Sequence, residues 1–290
     1  MSRTSRLSFI GVAAITISLL APSLASATNS WGPYHWARTA NPFTLKLGSN
    51  VSGAWSSYLG TTSSDWSASS VLDTTTVAGG TTGRKCRATT GRVEVCSAAY
   101  GNNGWLGLAS ISITGGAHIT QGTVKVNDTY FNTASYNTPA WRNLVMCQEV
   151  GHTLGLDHQD EVFDNANLGT CMDYTNSPGT NQHPNAHDYA QLESIYSHLD
   201  STTTVSAAAP GGPGKPGSGA GAGAADGGAD AAGGRSDGGA GGGAGADGGA
   251  GAEDAADWGR LVSSSQDGRR STFVKDLGAG ELIVTIIIWA

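Results

Sequence analysis

The chain has 290 residues, a charged fraction of 13% and a formal net charge of -7. Such a length leaves room for a sizeable core, and an acidic balance with no basic cluster argues against a nucleic-acid partner. The four cysteines, Cys86, Cys96, Cys147 and Cys171, form an even set without a C-x-x-C pair, so they read as two disulfides rather than a cysteine zinc site.

Residues 1–27 have the form of a secretory signal peptide. Arg3 and Arg6 precede the apolar run Leu7 to Leu20, and Ala25-Ser26-Ala27 is an A-x-A cleavage site. The run is too short for a membrane span, so the mature chain is expected to start at Thr28 and to be secreted. Residues 28–200 then read as one domain. After the aromatic segment 31–36, strands are predicted over Phe43 to Leu47, Val71 to Val77, Arg92 to Ser97, Leu106 to Thr114 and His118 to Asn127. Ser52 to Trp66 is read as a helix, and the tryptophans are assigned to the core. Thr138-Pro139 starts a second helix, an N-cap hydroxyl followed by proline, which runs to about Thr153 before Gly155. A last helix begins at Asn185, with Asp188 completing a capping box and Tyr189, Leu192, Ile195 and Leu199 as its buried stripe. Strands first and helices later make the class α+β.

Residues 201–256 are almost all Gly, Ala, Asp, Ser and Pro and read as a flexible linker with nothing to bury. Residues 257–290 are a separate object, with predicted strands over Gly259 to Ser263, Thr272 to Asp276 and Leu282 to Trp289. So small a meander is marginal alone. It is expected to dock on the main domain or on a neighbour.

The chemistry concentrates in Gln148-Glu149-Val150-Gly151-His152-Thr153-Leu154-Gly155-Leu156-Asp157-His158. Residues four apart on a helix stand about 5–6 Å apart at Cβ, so Gln148 and His152 face one metal ion together. Gly155 lets the chain turn back, and His158 supplies a third ligand. Three ligands with an open position is the layout of a catalytic zinc site. Glu149 is placed to act as general base on the water there. Asp157 and Asp160 flank His158, and either is a candidate to orient its imidazole.

The segment resembles the metzincin zinc proteases, and the matrixin-like branch in particular, over roughly residues 31–199. Cys171-Met172-Asp173-Tyr174 looks like that family's Met-turn, which puts Met172 beneath the metal and makes Tyr174 a candidate oxyanion stabiliser. The resemblance implies a metzincin-like catalytic domain with a twisted mixed sheet. It also implies Zn2+ held by position 148, His152 and His158, and a protein or peptide substrate paired with the edge strand Leu106 to Thr114. Where the family has histidine, this chain has Gln148, a neutral and weaker donor. Asp157 and His118 are alternative third ligands, and loss of the metal is the remaining alternative. The other histidines, His183, His187 and His198, read as surface or loop residues. Four cysteines allow three connectivities. The one with Cys147–Cys171, which leaves Cys86–Cys96, would staple the active helix to the Met-turn. Asn102, Asn103 and Asp128 are weak candidates for a structural Ca2+. The expected function is a secreted zinc endopeptidase, and the alternative is an inactive protein-binding or surface module on the same scaffold.

Overall fold

The structure is a computed structural model that describes residues 29–207 and 257–290. The expected signal peptide (1–27) and most of the expected linker lie outside the described residues. The described chain is α+β, in the order β1 (His35–Trp36), β2 (Phe43–Asn50), α1 (Gly53–Trp66), β3 (Leu72–Ala78), β4 (Val93–Ala98), β5 (Trp105–Thr114) and β6 (His118–Asn127). Then come α2 (Asp128–Phe131), α3 (Pro139–Thr153), α4 (Ala186–Ile195), β7 (Arg260–Ser264), β8 (Arg270–Gly278) and β9 (Glu281–Trp289).

The strands form one mixed sheet in the order β3-β2-β4-β6-β5-β9-β8-β7, with β1 paired to β6 off this path. From β3 to β6 the pairs are parallel, and β5 returns antiparallel to β6. The tail then continues the same sheet: β9 pairs antiparallel with β5, β8 with β9, and β7 with β8. A meander this small cannot bury both faces of Leu282 to Ile288 by itself. Docked on β5, Val284 and Ile286 join the main core, while Ile287 packs in a second cluster with Trp105 and Leu108.

The helix α3 is pinned by indoles from elsewhere in the chain. Trp36 Nε1 donates to the Thr153 carbonyl at 2.9 Å, and Trp66 Nε1 donates to the Cys147 carbonyl at 3.2 Å. Its start is capped as the sequence suggests, with Thr138 Oγ1 accepting from the Trp141 amide at 3.3 Å and Pro139 following the cap. In α4 the capping box of Asn185 and Asp188 is present. Leu199, however, is exposed and does not belong to a buried stripe. The helix stops at Ile195, and the fully buried Tyr196 turns inward in its place, its hydroxyl donating to the Leu154 carbonyl at 2.9 Å. Residues 201–207, read from composition as linker, lie along the domain, where the Thr204 and Ser206 amides donate to the Ala37 and Gly91 carbonyls at 2.9 Å each.

Candidate metal centre

One face of α3 carries Gln148, Glu149 and His152, exposed by 1%, 0% and 0%. Gly151 allows close packing behind them. A Cβ there would stand 2.7 Å from both Met172 Sδ and Trp66 Cζ2. Beyond the helix Gly155 takes φ +97, and a Cβ on it would lie 2.4 Å from the Tyr34 carbonyl oxygen. The N-terminal segment holds this turn, with the Trp31 amide donating to the Gly155 carbonyl at 2.8 Å and the Asp157 amide to the Asn29 carbonyl at 2.7 Å. The turn returns His158 to the helix, where its Nε2 stands 3.1 Å from His152 Nε2.

The outer nitrogen of the His152 ring is engaged. His152 Nδ1 lies 2.9 Å from the Leu156 carbonyl oxygen, which can only accept, so the ring hydrogen sits on Nδ1. His158 Nδ1 lies 3.3 Å from Asp157 Oδ1, a contact that favours a hydrogen on that nitrogen without forming a hydrogen bond. With both hydrogens on Nδ1, each Nε2 turns a lone pair toward the other. Burial, helped by His158, lowers the pKa of His152 to about 3, and burial also lowers that of His158 against the pull of Asp157. With both rings neutral, either His158 carries its hydrogen on Nε2 and donates it to His152, or a cation separates the two lone pairs. Two donors about 2.0–2.1 Å from a tetrahedral zinc ion stand roughly 3.3–3.4 Å apart, close to the spacing found here.

Unpartnered acceptors support that fit: both Glu149 oxygens and the Tyr174 hydroxyl are buried without hydrogen-bond partners. Each such group costs about 1–3 kcal/mol when nothing meets it. Burial raises the pKa of Glu149 well above the usual carboxylate range, and that of Tyr174 rises for the same reason. The Tyr174 ring stacks on His158 at 4.1 Å between centroids, and Phe163 stacks against Tyr174 at 4.6 Å. The pair of His152 and His158 nitrogens suits a divalent ion that takes imidazole ligands.

The Met172 segment is tied to the returning loop. The Gln159 amide donates to the Met172 carbonyl at 2.7 Å, and the Met172 amide donates to Thr170 Oγ1 at 3.0 Å. The cysteines pair as Cys86–Cys96 and Cys147–Cys171, and the second pair joins α3 to the residue before Met172. Of the two acidic candidates beside His158, Asp157 meets its ring. Asp160 Oδ1 instead accepts from the Val162 amide at 2.7 Å.

The structure corrects several expectations. Asp157 does not face the centre between the two Nε2 atoms, because its carboxylate is held outside by Arg270, whose Nη2 lies 3.2 Å from both oxygens. Arg270 Nη1 also meets Glu161 Oε1 at 2.6 Å. Asp157, His158 and Glu161 come close enough together to suggest a cation site, but this guanidinium already neutralises the two carboxylates. Arg270 belongs to the tail, and no local pattern in the sequence could have put it here. His118 is also absent from this centre; it stands on β6 opposite His35. The edge strand β5 is not open to a substrate, since β9 pairs with it from Trp105 to Ile113. Gly107 on that strand runs against Glu149, where a Cβ would stand 2.5 Å from Oε1. Of the calcium candidates, Asn103 Oδ1 accepts from Asn127 Nδ2 at 2.8 Å and Asp128 Oδ1 accepts from Trp55 Nε1 at 2.6 Å, so protein donors already occupy these oxygens. His183 Nδ1 pairs with Asp65 at 2.7 Å and is half-exposed.

Among the described residues, no helix is long and apolar enough to cross a membrane. No family model matches the sequence, and no curated protein matches it. Among solved structures, the chain is similar to the crystal structure of myroilysin, with 13% identity over 61% of this chain and 97% of that one, at a TM-score of 0.32. A likeness this distant carries no weight for the chemistry.

Proposed function

We propose that this chain is an exported zinc endopeptidase of the metzincin type, with His152, His158 and Gln148 holding the metal and Glu149 as general base. The observation that carries the reading is the pair of imidazole Nε2 atoms 3.1 Å apart, with a buried, unpartnered carboxylate, Glu149, on the same helix as His152. Zinc bound there would supply a Lewis acid that lowers the pKa of water to about 7. Glu149 accepts the water's proton at a carboxylate oxygen and delivers it to the leaving amine. Tyr174, held in place by stacking, donates its otherwise unpartnered hydroxyl to the developing oxyanion. The Cys147–Cys171 bridge keeps the helix and the Met172 segment in register.

Zinc analysis and casein hydrolysis test this reading, with Glu149→Gln compared in protein whose tail is displaced from β5 by Ile286→Lys. Zinc retained and hydrolysis lost in the variant supports it. Hydrolysis equal in both proteins would sink it. A second reading, a protein-binding module without catalysis, draws on the pairing of β9 with β5 and on Gln148. A chain that binds no zinc and cleaves no protein, with or without its tail displaced, favours that module.

A further inference from the structure

A second set of imidazoles meets outside this centre. β1 pairs with β6 in a register that puts His35 opposite His118, and the chain leaving α4 brings His198 and Asp200 beside them. His35 Nε2 lies 3.2 Å from His198 Nε2 and 3.5 Å from Asp200 Oδ1. His198 Nε2 lies 3.8 Å and His118 Nε2 3.2 Å from the same oxygen. These spacings bracket the roughly 3.3–3.4 Å edge of a tetrahedral zinc site.

The surroundings fix the donors. His35 Nδ1 is 2.8 Å from the Pro33 carbonyl oxygen, so its hydrogen goes there and its Nε2 lone pair faces a carboxylate and a second imidazole. That arrangement is repulsive unless a cation or a proton lies between them. Asp200 Oδ2 is taken by Arg38, through Nη1 at 2.9 Å and the backbone amide at 3.1 Å, which leaves Oδ1 for the cluster. The Arg38 guanidinium also donates to the His198 carbonyl. His35 is buried, and His198 is half-exposed beside a pocket of about 320 Å³ that gives the cluster access to solvent.

We propose that His35, His198 and Asp200 form a second divalent metal site, for zinc or an ion of similar preference, with His118 beside its fourth position. Imidazole nitrogens with one carboxylate select such ions over calcium or magnesium. The ion ties the N-terminal strand to the chain that follows the last helix. The test is zinc titration of chelator-treated full-length protein, followed by calorimetry and metal analysis, for wild type, His198→Ala, His35→Gln and His152→Ala. Two zinc equivalents are expected in wild type. His198→Ala and His35→Gln should each lose one, with affinity at that site falling by more than the roughly 10–100-fold that loss of an outer partner costs. His152→Ala should lose only the other. His198 is half-exposed, so its variant is expected to fold. Wild type and His198→Ala with equal stoichiometry and affinity would overturn the proposal, and so would a cluster whose thermal stability depends on pH but not on zinc.

An independent observation concerns the tail. β9 occupies the β5 edge, and Arg270 of β8 bonds Asp157, the residue before His158. Ser110 Oγ and Thr285 Oγ1 meet across the β5–β9 pair at 2.7 Å. Resting on the peptidase reading above, the geometry points to residues 257–290 as an intramolecular occupant of the substrate edge. Displacing the tail is then a precondition for extended peptides to bind. The test compares full-length wild type with Ile286→Lys, and with the milder Arg270→Ala, by hydrogen exchange at β5, by binding of a labelled peptide of sequence 281–290, and by casein hydrolysis. Faster β5 exchange and peptide binding in the variants support occlusion. Peptide binding without hydrolysis supports occlusion and counts against the peptidase. Equal exchange and no peptide binding in any of the proteins would overturn it.

Discussion

The two histidine clusters differ in how the chain builds them. His152 and His158 come from one helix and the turn after it, six residues apart, and they are sealed from solvent. His35, His118 and His198 come from three distant segments, and His198 reaches solvent. The first cluster is local in sequence and buried in space; the second is distant in sequence and open in space. Sequence spacing reveals a metal site only when a single helix or turn supplies its ligands. A site assembled by strand register is silent until the register is known.

The largest expected effect falls on the buried centre. Glu149→Gln should lower casein hydrolysis by about 10²–10⁴-fold, the usual contribution of a general base, while zinc content stays unchanged. A variant that keeps its rate would move the chemistry away from this cluster. Next, replacing both Cys147 and Cys171 by serine should cost about 3 kcal/mol in the chain-entropy model, read from a denaturant melt. The loss should fall on the buried centre, leaving zinc at the His35 cluster in place. At Gln148 the comparison sharpens further. Gln148→His should keep or raise zinc affinity at the buried centre and Gln148→Leu should lower it; equal affinities in all three would take residue 148 out of the ligand set. Zinc release into a chelator, followed with a dye, should have two phases, the fast one from the open cluster and the slow one from the sealed centre. A single phase would erase the distinction. The smallest effect is expected from His118→Ala, which should weaken only the open cluster, and by less than His198→Ala.

Much of the fold is legible in the sequence because its signals are local. Thr138-Pro139 marks the start of α3, Gly155 marks its reversal, and Asn185 with Asp188 starts α4. The stripe through α4 falls short of Leu199, because periodicity does not say where a helix stops; the buried Tyr196 ends it earlier. The tail strands are visible as strands, but their partner is not. Pairing of β9 with β5 is a contact across 175 residues at Ser110 and Thr285, and nothing near either residue encodes it. Arg270 at Asp157 is hidden for the same reason.

The docked tail also decides where the sheet ends. β7, its outermost strand on that side, is exposed along its whole length and carries Leu261 and Val262 toward solvent. An undocked tail would leave β5 and the apolar β9 as two bare edges, each able to template pairing with another molecule. Colloidal stability of the chain therefore depends on the same strand pairing. Conditions that loosen β9 should show first as light scattering at high protein concentration, and dilution should reverse it.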